Sequence, residues 1–298
     1  MVWCMNITQP ECIWPLAATL GEGPVWHAGD NALYFVDIKQ RAIHRCGEDG
    51  SRRQSWTVPE EVGFALPMHG GGFVCGLPGR LMRFSFDSGE LTPLVELETD
   101  LPGNRLNDGY VDRHGCLWFG SMDNAEAAPS GSLYRLCEDA VLQRKDGGYV
   151  ITNGPCVSPD GRTFYHTDTL EKTIYAFDVD DQGALANKRV FVRIEGEGYP
   201  DGTAVDADGA LWIALFAGAR VERYSAAGEF LDSVNLPCSN ITKVAFGGAD
   251  LRTVFVTTAR KGLTDEELSR QPLAGGLFSF RVASPGQLQN EYLPGQAI

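Results

Sequence analysis

Four oxygen-bearing side chains recur at corresponding places along this chain. Glu22 stands in Gly21-Glu-Gly-Pro24, Asn107 in Arg105-Leu-Asn-Asp108, Asn153 in Thr152-Asn-Gly-Pro155 and Asp201 in Pro200-Asp-Gly-Thr203. Each precedes the centre of an apolar, strand-like run by 11 or 12 residues, and two further segments place Phe64 and Thr242 or Lys243 at the matching position. A single Asn-Gly or Asp-Gly is most often a turn. Four polar residues at matched positions need another reason, because strands seldom begin on Asn or Asp by propensity. Carboxylate and amide oxygens gathered on one axis suit one hard divalent cation, with Ca, Mg, Mn, Zn and Fe(II) all admissible. Two carboxylates with neutral amides leave coordination positions for water or substrate, as a catalytic metal requires.

The elements that must bring these residues together are written in a repeat. Apolar runs centred on Tyr34, Val74, Trp118, Tyr165, Trp212 and Phe255 are separated by 40, 44, 47, 47 and 43 residues. A second strand-like run follows each, and several then enter a Gly-bearing turn such as Asp87-Ser-Gly89 or Asp181-Gln-Gly183. A period of this length with about four strands per unit is the mark of a propeller blade. The spacing predicts an all-β fold, a single six-bladed β-propeller over residues 1–298 with four-stranded blades. The N-terminal segment around Cys12-Ile-Trp14 is expected to pair into the last blade and leave no open sheet edge. Only Thr264–Arg270 reads as a short helical turn.

Arg105 lies two residues before Asn107, so strand alternation puts both on one face, where the guanidinium can meet a substrate oxygen. His69 is a possible substrate contact near the channel mouth, Met122 is expected over bound substrate, and His166 reads as structural. Asp178-Val-Asp-Asp-Gln-Gly183 imitates the start of a calcium loop but has Arg189 where the twelfth-position Glu belongs, so it is read as a turn, like Asp206-Ala-Asp-Gly209. No Gly-x-Ser-x-Gly, phosphate loop or dinucleotide fingerprint occurs.

The net charge of −14 disfavours nucleic acid and anionic membranes. Neither a signal peptide nor a membrane span is legible. Eight cysteines, Cys4, Cys12, Cys46, Cys75, Cys116, Cys137, Cys156 and Cys238, show no Cys-x-x-Cys spacing. They are read as reduced and buried in a cytoplasmic protein. Nothing in the sequence bears on oligomeric state.

The segments Gly21–Pro24, Arg105–Gly109, Asn153–Pro155 with Ser158–Gly161, and Pro200–Gly202 resemble the gluconolactonase/regucalcin (senescence marker protein) family over about residues 12–285. The runs Phe35–Gln40, Ile151–Ser158, Tyr165–Lys172 and Thr257–Leu263 are most similar to bacterial sugar lactonases such as xylonolactonase. The resemblance implies a propeller with one divalent metal held by Glu22, Asn153 and Asp201. It implies Asn107 beside the metal on substrate or water, Arg105 on a substrate hydroxyl, and Asp201 as general base. It also implies hydrolysis of a small sugar lactone: xylono-, arabino-, glucono- or 6-deoxy-6-sulfogluconolactone. A sulfonated substrate would call for extra cations at the mouth, for which His69 and Lys243 are the candidates. A calcium-dependent phosphotriesterase or esterase, and a non-catalytic metal-binding scaffold, are the competing readings for such a fold.

Overall fold

The computed structural model describes residues 7–295. Its strands, β1–β24 in chain order, form six four-stranded antiparallel sheets. The first blade runs β2 (Gly21–His27), β3 (Ala32–Asp37), β4 (Ala42–Cys46) and β5 (Gln54–Thr57) from its inner to its outer edge. The next four blades open on β6 (Phe64–Pro67), β10 (Asn104–Val111), β14 (Thr152–Val157) and β18 (Tyr199–Val205) and repeat that order. The sixth contains β22 (Ile241–Gly247), β23 (Thr253–Thr258), β24 (Leu277–Arg281) and, outermost, β1 (Glu11–Trp14). Glu11 pairs with Ser279 and Cys12 with Phe278, so the N-terminal segment closes the last blade as expected. The short helix α1 (Asp265–Arg270) begins at Thr264, which forms a reciprocal capping box with Glu267.

The repeat folds this way because the second strand of each blade is buried on both faces. Trp118, Trp212, Tyr165, Phe35, Phe64 and Phe255 are almost wholly buried between neighbouring sheets. Burial of such side chains is worth about 1.5–3 kcal/mol each. Two blades share a visible polar device. Asp112 accepts the indole N–H of Trp118 at 2.8 Å, and Asp206 accepts that of Trp212 at 3.0 Å, while each also caps the turn that follows it. Asp206-Ala-Asp-Gly209 is thus a turn. So is the run from Asp180 to Gly183, where Asp180 accepts the N–H groups of Gln182 and Ala184.

Two cysteines depart from the expected reduced state. Cys116 and Cys137 are joined by a disulfide, with Cα atoms 4.4 Å apart. They flank the hairpin of β11 (Leu117–Asp123) and β12 (Gly131–Leu136), whose register pairs Leu117 with Leu136 and makes the cysteines the next cross-strand pair. Cys12, Cys46, Cys75, Cys156 and Cys238 are free thiols; Cys4 lies outside the described residues.

Candidate functional site

The inner strands all start at one mouth of the central channel. The first residues of β2, β10, β14 and β18 line a cavity of about 240 Å³ that includes Glu22, Arg105, Asn107, Asn153 and Asp201. Their later residues, with Gln287, line a second cavity behind it. The segment 285–293 crosses that far mouth, bonding by main chain to Leu251, Ala207, Pro67, His69 and Gly115. The cavity lined by Glu22 and Asp201 therefore opens at one end.

The sequence places polar residues at the start of β2, β10, β14 and β18, and the backbone there departs from a regular ladder. Register shifts fall between Glu22 and Val25, Leu106 and Gly109, Asn153 and Cys156, and Pro200 and Thr203. Such bulges re-aim side chains and favour sites of function. Gly23 and Gly154, in the left-handed region at φ 54° and 56°, make two of them possible. In contrast, β6 pairs regularly and carries apolar Phe64 at the corresponding place. The sixth blade offers Thr242, which donates to the Gly21 carbonyl at 2.6 Å and ties the last blade to the first.

Glu22, Asn153 and Asp201 are each at most 7% exposed. Glu22 accepts the Gly23 N–H at 2.8 Å. Asn153 accepts from Asn107 Nδ2 at 2.9 Å and donates to Thr169 Oγ1 at 3.0 Å. Arg105 donates to Asn107 Oδ1 at 2.5 Å and to Asn124 Oδ1 at 3.0 Å, so the two residues share a face as alternation predicts. Burial, then the charge of Asp108, pushes the Glu22 carboxyl up to about 7, against the pull of Lys243. Burial, then Glu22 and Asp108, holds the Asp201 carboxyl well above the usual carboxylate range.

The Asp201 carboxylate accepts no hydrogen bond from any described residue. A buried acid in that state must keep its proton or face a cation. With Glu22 and an amide oxygen in the same cavity, these residues fit a hard divalent ion. No three of His, Cys, Asp and Glu among the described residues are grouped to hold a metal. A cation here would therefore need amide oxygen as well as the two acids.

Met122 lines the cavity as anticipated, and His166 is buried against Tyr149. His69 is elsewhere: it follows the far end of β6, is 71% exposed and faces Glu291 of the crossing segment. Lys243 does not stand at the mouth either, because its ammonium is ion-paired with Asp108 deep in the channel. Asp108 also accepts the N–H of Gly154 at 2.9 Å, linking the third blade to the bulge of the fourth. Asp108 follows Asn107 in the strand, and the register shift between Leu106 and Gly109 breaks the alternation that would otherwise set its direction.

A closed six-bladed propeller with an oxygen-lined axial cavity defines the class of this protein. The chain matches the family model described as SMP-30/Gluconolactonase/LRE-like region over residues 20–260, and it belongs to that family. L-arabinolactonase of Azospirillum brasilense is 40% identical over 273 residues, 90% of each chain. The 6-deoxy-6-sulfogluconolactonase of Pseudomonas putida is 35% identical over 285 residues, 95% of this chain and 97% of that one. Both are lactonases, hydrolases of carboxylic esters. The solved structure of a calcium-binding protein, regucalcin, from Agrobacterium tumefaciens superposes with a TM-score of 0.91 at 27% identity, covering 96% of this chain and 97% of that one.

Proposed function

We propose that this protein is a divalent-metal-dependent sugar lactonase that opens an aldonolactone to its sugar acid. The observation that carries the proposal is the buried Asp201 carboxylate, without a hydrogen-bond donor among the described residues, sharing one cavity with Glu22, Asn153 and the Arg105–Asn107 pair. Glu22, Asn153 and Asp201 would hold the ion, which when bound supplies Lewis-acid polarisation of the lactone carbonyl. Arg105 and Asn107 bind the sugar hydroxyls and fix the ring in the cavity. Asp201 orients the attacking water and accepts its proton. The water oxygen bonds to the carbonyl carbon, the ring C–O bond breaks, and the proton returns to the ring oxygen, which leaves as a hydroxyl. The substrate is a xylono-, arabino-, glucono- or related lactone.

The test is lactone hydrolysis followed by acid release. Chelated protein is reloaded with Ca, Mg, Mn, Zn or Fe(II), and spontaneous opening is subtracted. Metal-restored turnover supports the proposal. Metal binding without turnover of any sugar lactone would make the protein a binding scaffold, and preference for a phosphotriester in a parallel assay would change the reaction class.

A further inference from the structure

Two ion pairs cross the channel between the third and sixth blades, which face each other in a ring of six. Deep in the channel Asp108 pairs with Lys243. At the mouth Glu126, in the turn after β11, pairs with Lys261, in the segment after β23. Glu126 and Lys261 both line the site cavity, and their side chains are 35% and 32% exposed. Glu22, Asn153 and Asp201 line the same cavity as the outer pair. The backbone holds the outer pair in place: Asp123 accepts the N–H groups of Ala125, Ala127 and Ala128, and the Lys261 carbonyl accepts from Asn240 Nδ2 at 2.9 Å.

The cations around this mouth are engaged, Lys172 by the Gly196 carbonyl at 2.7 Å and the others by carboxylates or amides. Lys39 binds Glu61 at 2.9 Å, and Arg105 is held by Asn107 and Asn124 with Glu61 at 3.8 Å. Lys261 is occupied by Glu126, and Lys243 by Asp108. No cation among these is left over for a negatively charged substituent, and the Glu126 carboxylate would repel one.

Resting on the lactonase reading, with the carbonyl at the buried oxygens and the exocyclic carbon toward the mouth, we infer that the site takes an uncharged aldonolactone and rejects one with an anionic exocyclic group, Glu126 setting the preference by occupying Lys261. Removing the Glu126 charge removes the repulsion and frees the ammonium for a charge-assisted hydrogen bond to the anion.

The experiment compares kcat/KM for gluconolactone and 6-deoxy-6-sulfogluconolactone, a pair that differs only in the group on the exocyclic carbon. Both are assayed in the metal-loaded full chain. The wild type is expected to favour the neutral lactone at least tenfold. E126Q should raise the sulfonated-to-neutral ratio at least tenfold, and adding K261M to E126Q should abolish that gain. K261M alone should lower the ratio, which supplies an independent reading if E126Q folds poorly. A wild-type ratio near one, or an E126Q effect of equal size on both lactones, overturns the inference while leaving the lactonase reading intact. Absence of turnover on every sugar lactone overturns both.

Discussion

Asn107 on the third blade donates from Nδ2 to Asn153 Oδ1 on the fourth at 2.9 Å and to the Thr152 carbonyl at 2.7 Å. Its own oxygen is taken by Arg105. One amide thus fixes the orientation of another, and the Asn153 oxygen presents its remaining lone pair in a set direction. Groups that orient ligands in this way typically govern metal affinity by 10–100-fold. Asn107→Ala should therefore weaken divalent-ion binding by about 10- to 100-fold and lower kcat/KM at least as much. Calorimetric titration of the chelated variant checks the first, and wild-type affinity would detach Asn107 from the orientation of Asn153.

The bulge at Asn153 depends on Gly154. A Cβ at this position would lie 2.6 Å from Thr203 Oγ1 and 3.0 Å from Thr167 Oγ1, on a backbone at φ 56°. Gly154→Ala must pay for the left-handed conformation and displace packed neighbours, together about 1–3 kcal/mol. Gly89→Ala is the control, since its φ is also positive but nothing lies within 4 Å of the added atom. Urea unfolding should show a larger loss for Gly154→Ala than for Gly89→Ala, accompanied by loss of bound metal only in the former. Equal losses would mean that the close packing around the bulge is unimportant.

The contrast between these residues explains what the sequence disclosed. Blades were legible because each must bury the same alternating face, so Tyr34, Trp118 and Trp212 recur at a steady period. Glu22, Asn107, Asn153 and Asp201 were legible because a repeat makes matched positions comparable. Asp108 was not recognised, since a bulge breaks the two-residue period on which its direction would be inferred. Glu126 and Lys261 lie in connections that carry no period, so their meeting depends on loop geometry alone. His69 was misplaced because proximity to an inner strand does not say which end of that strand it occupies. The crossing segment 285–293 has no pattern of its own and gains its order from main-chain bonds to four blades, at Leu251, Ala207, Pro67 and Gly115.

The Cys116–Cys137 bond was hidden for a related reason, as it needs the hairpin register and not a spacing motif. It closes a loop with a sequence separation of 21. A loop of that size contributes about 3 kcal/mol in the chain-entropy treatment. Cys116→Ser/Cys137→Ser, or reduction, should lower unfolding free energy by up to that amount and leave lactone turnover largely unchanged, because neither residue lines the site. Thiol counting on protein released from cells without reductant bears on the compartment as well. Two protected cysteines would oppose the cytoplasmic expectation, since the cytosol keeps most thiols reduced.

The carboxyl pair at the site gives the metal-free protein an unusual response to pH. Glu22 is raised from 4.5 to about 7 in the folded state, first by burial and then by Asp108. Asp201 is raised as well, by burial and by Glu22. A raised carboxyl keeps its proton in the folded chain at pH values where the unfolded chain has released it. The stability it contributes is complete below the unfolded pKa and disappears as pH climbs to the folded one. The melting temperature of chelated protein should therefore carry a component that falls between about pH 4.5 and 7. Glu22→Gln should flatten it, and the difference between the two curves isolates this group from other carboxylates. A saturating divalent ion should reverse the slope, because ligand oxygens must be deprotonated to bind it. Asp201→Asn should likewise stabilise the metal-free chain at neutral pH, since it removes a buried acid that no described residue hydrogen-bonds, yet reduce kcat by orders of magnitude. Superimposable wild-type and Glu22→Gln melting curves across this range, with or without metal, would show that the two carboxyls are not held together in the closed environment from which the chemistry is argued.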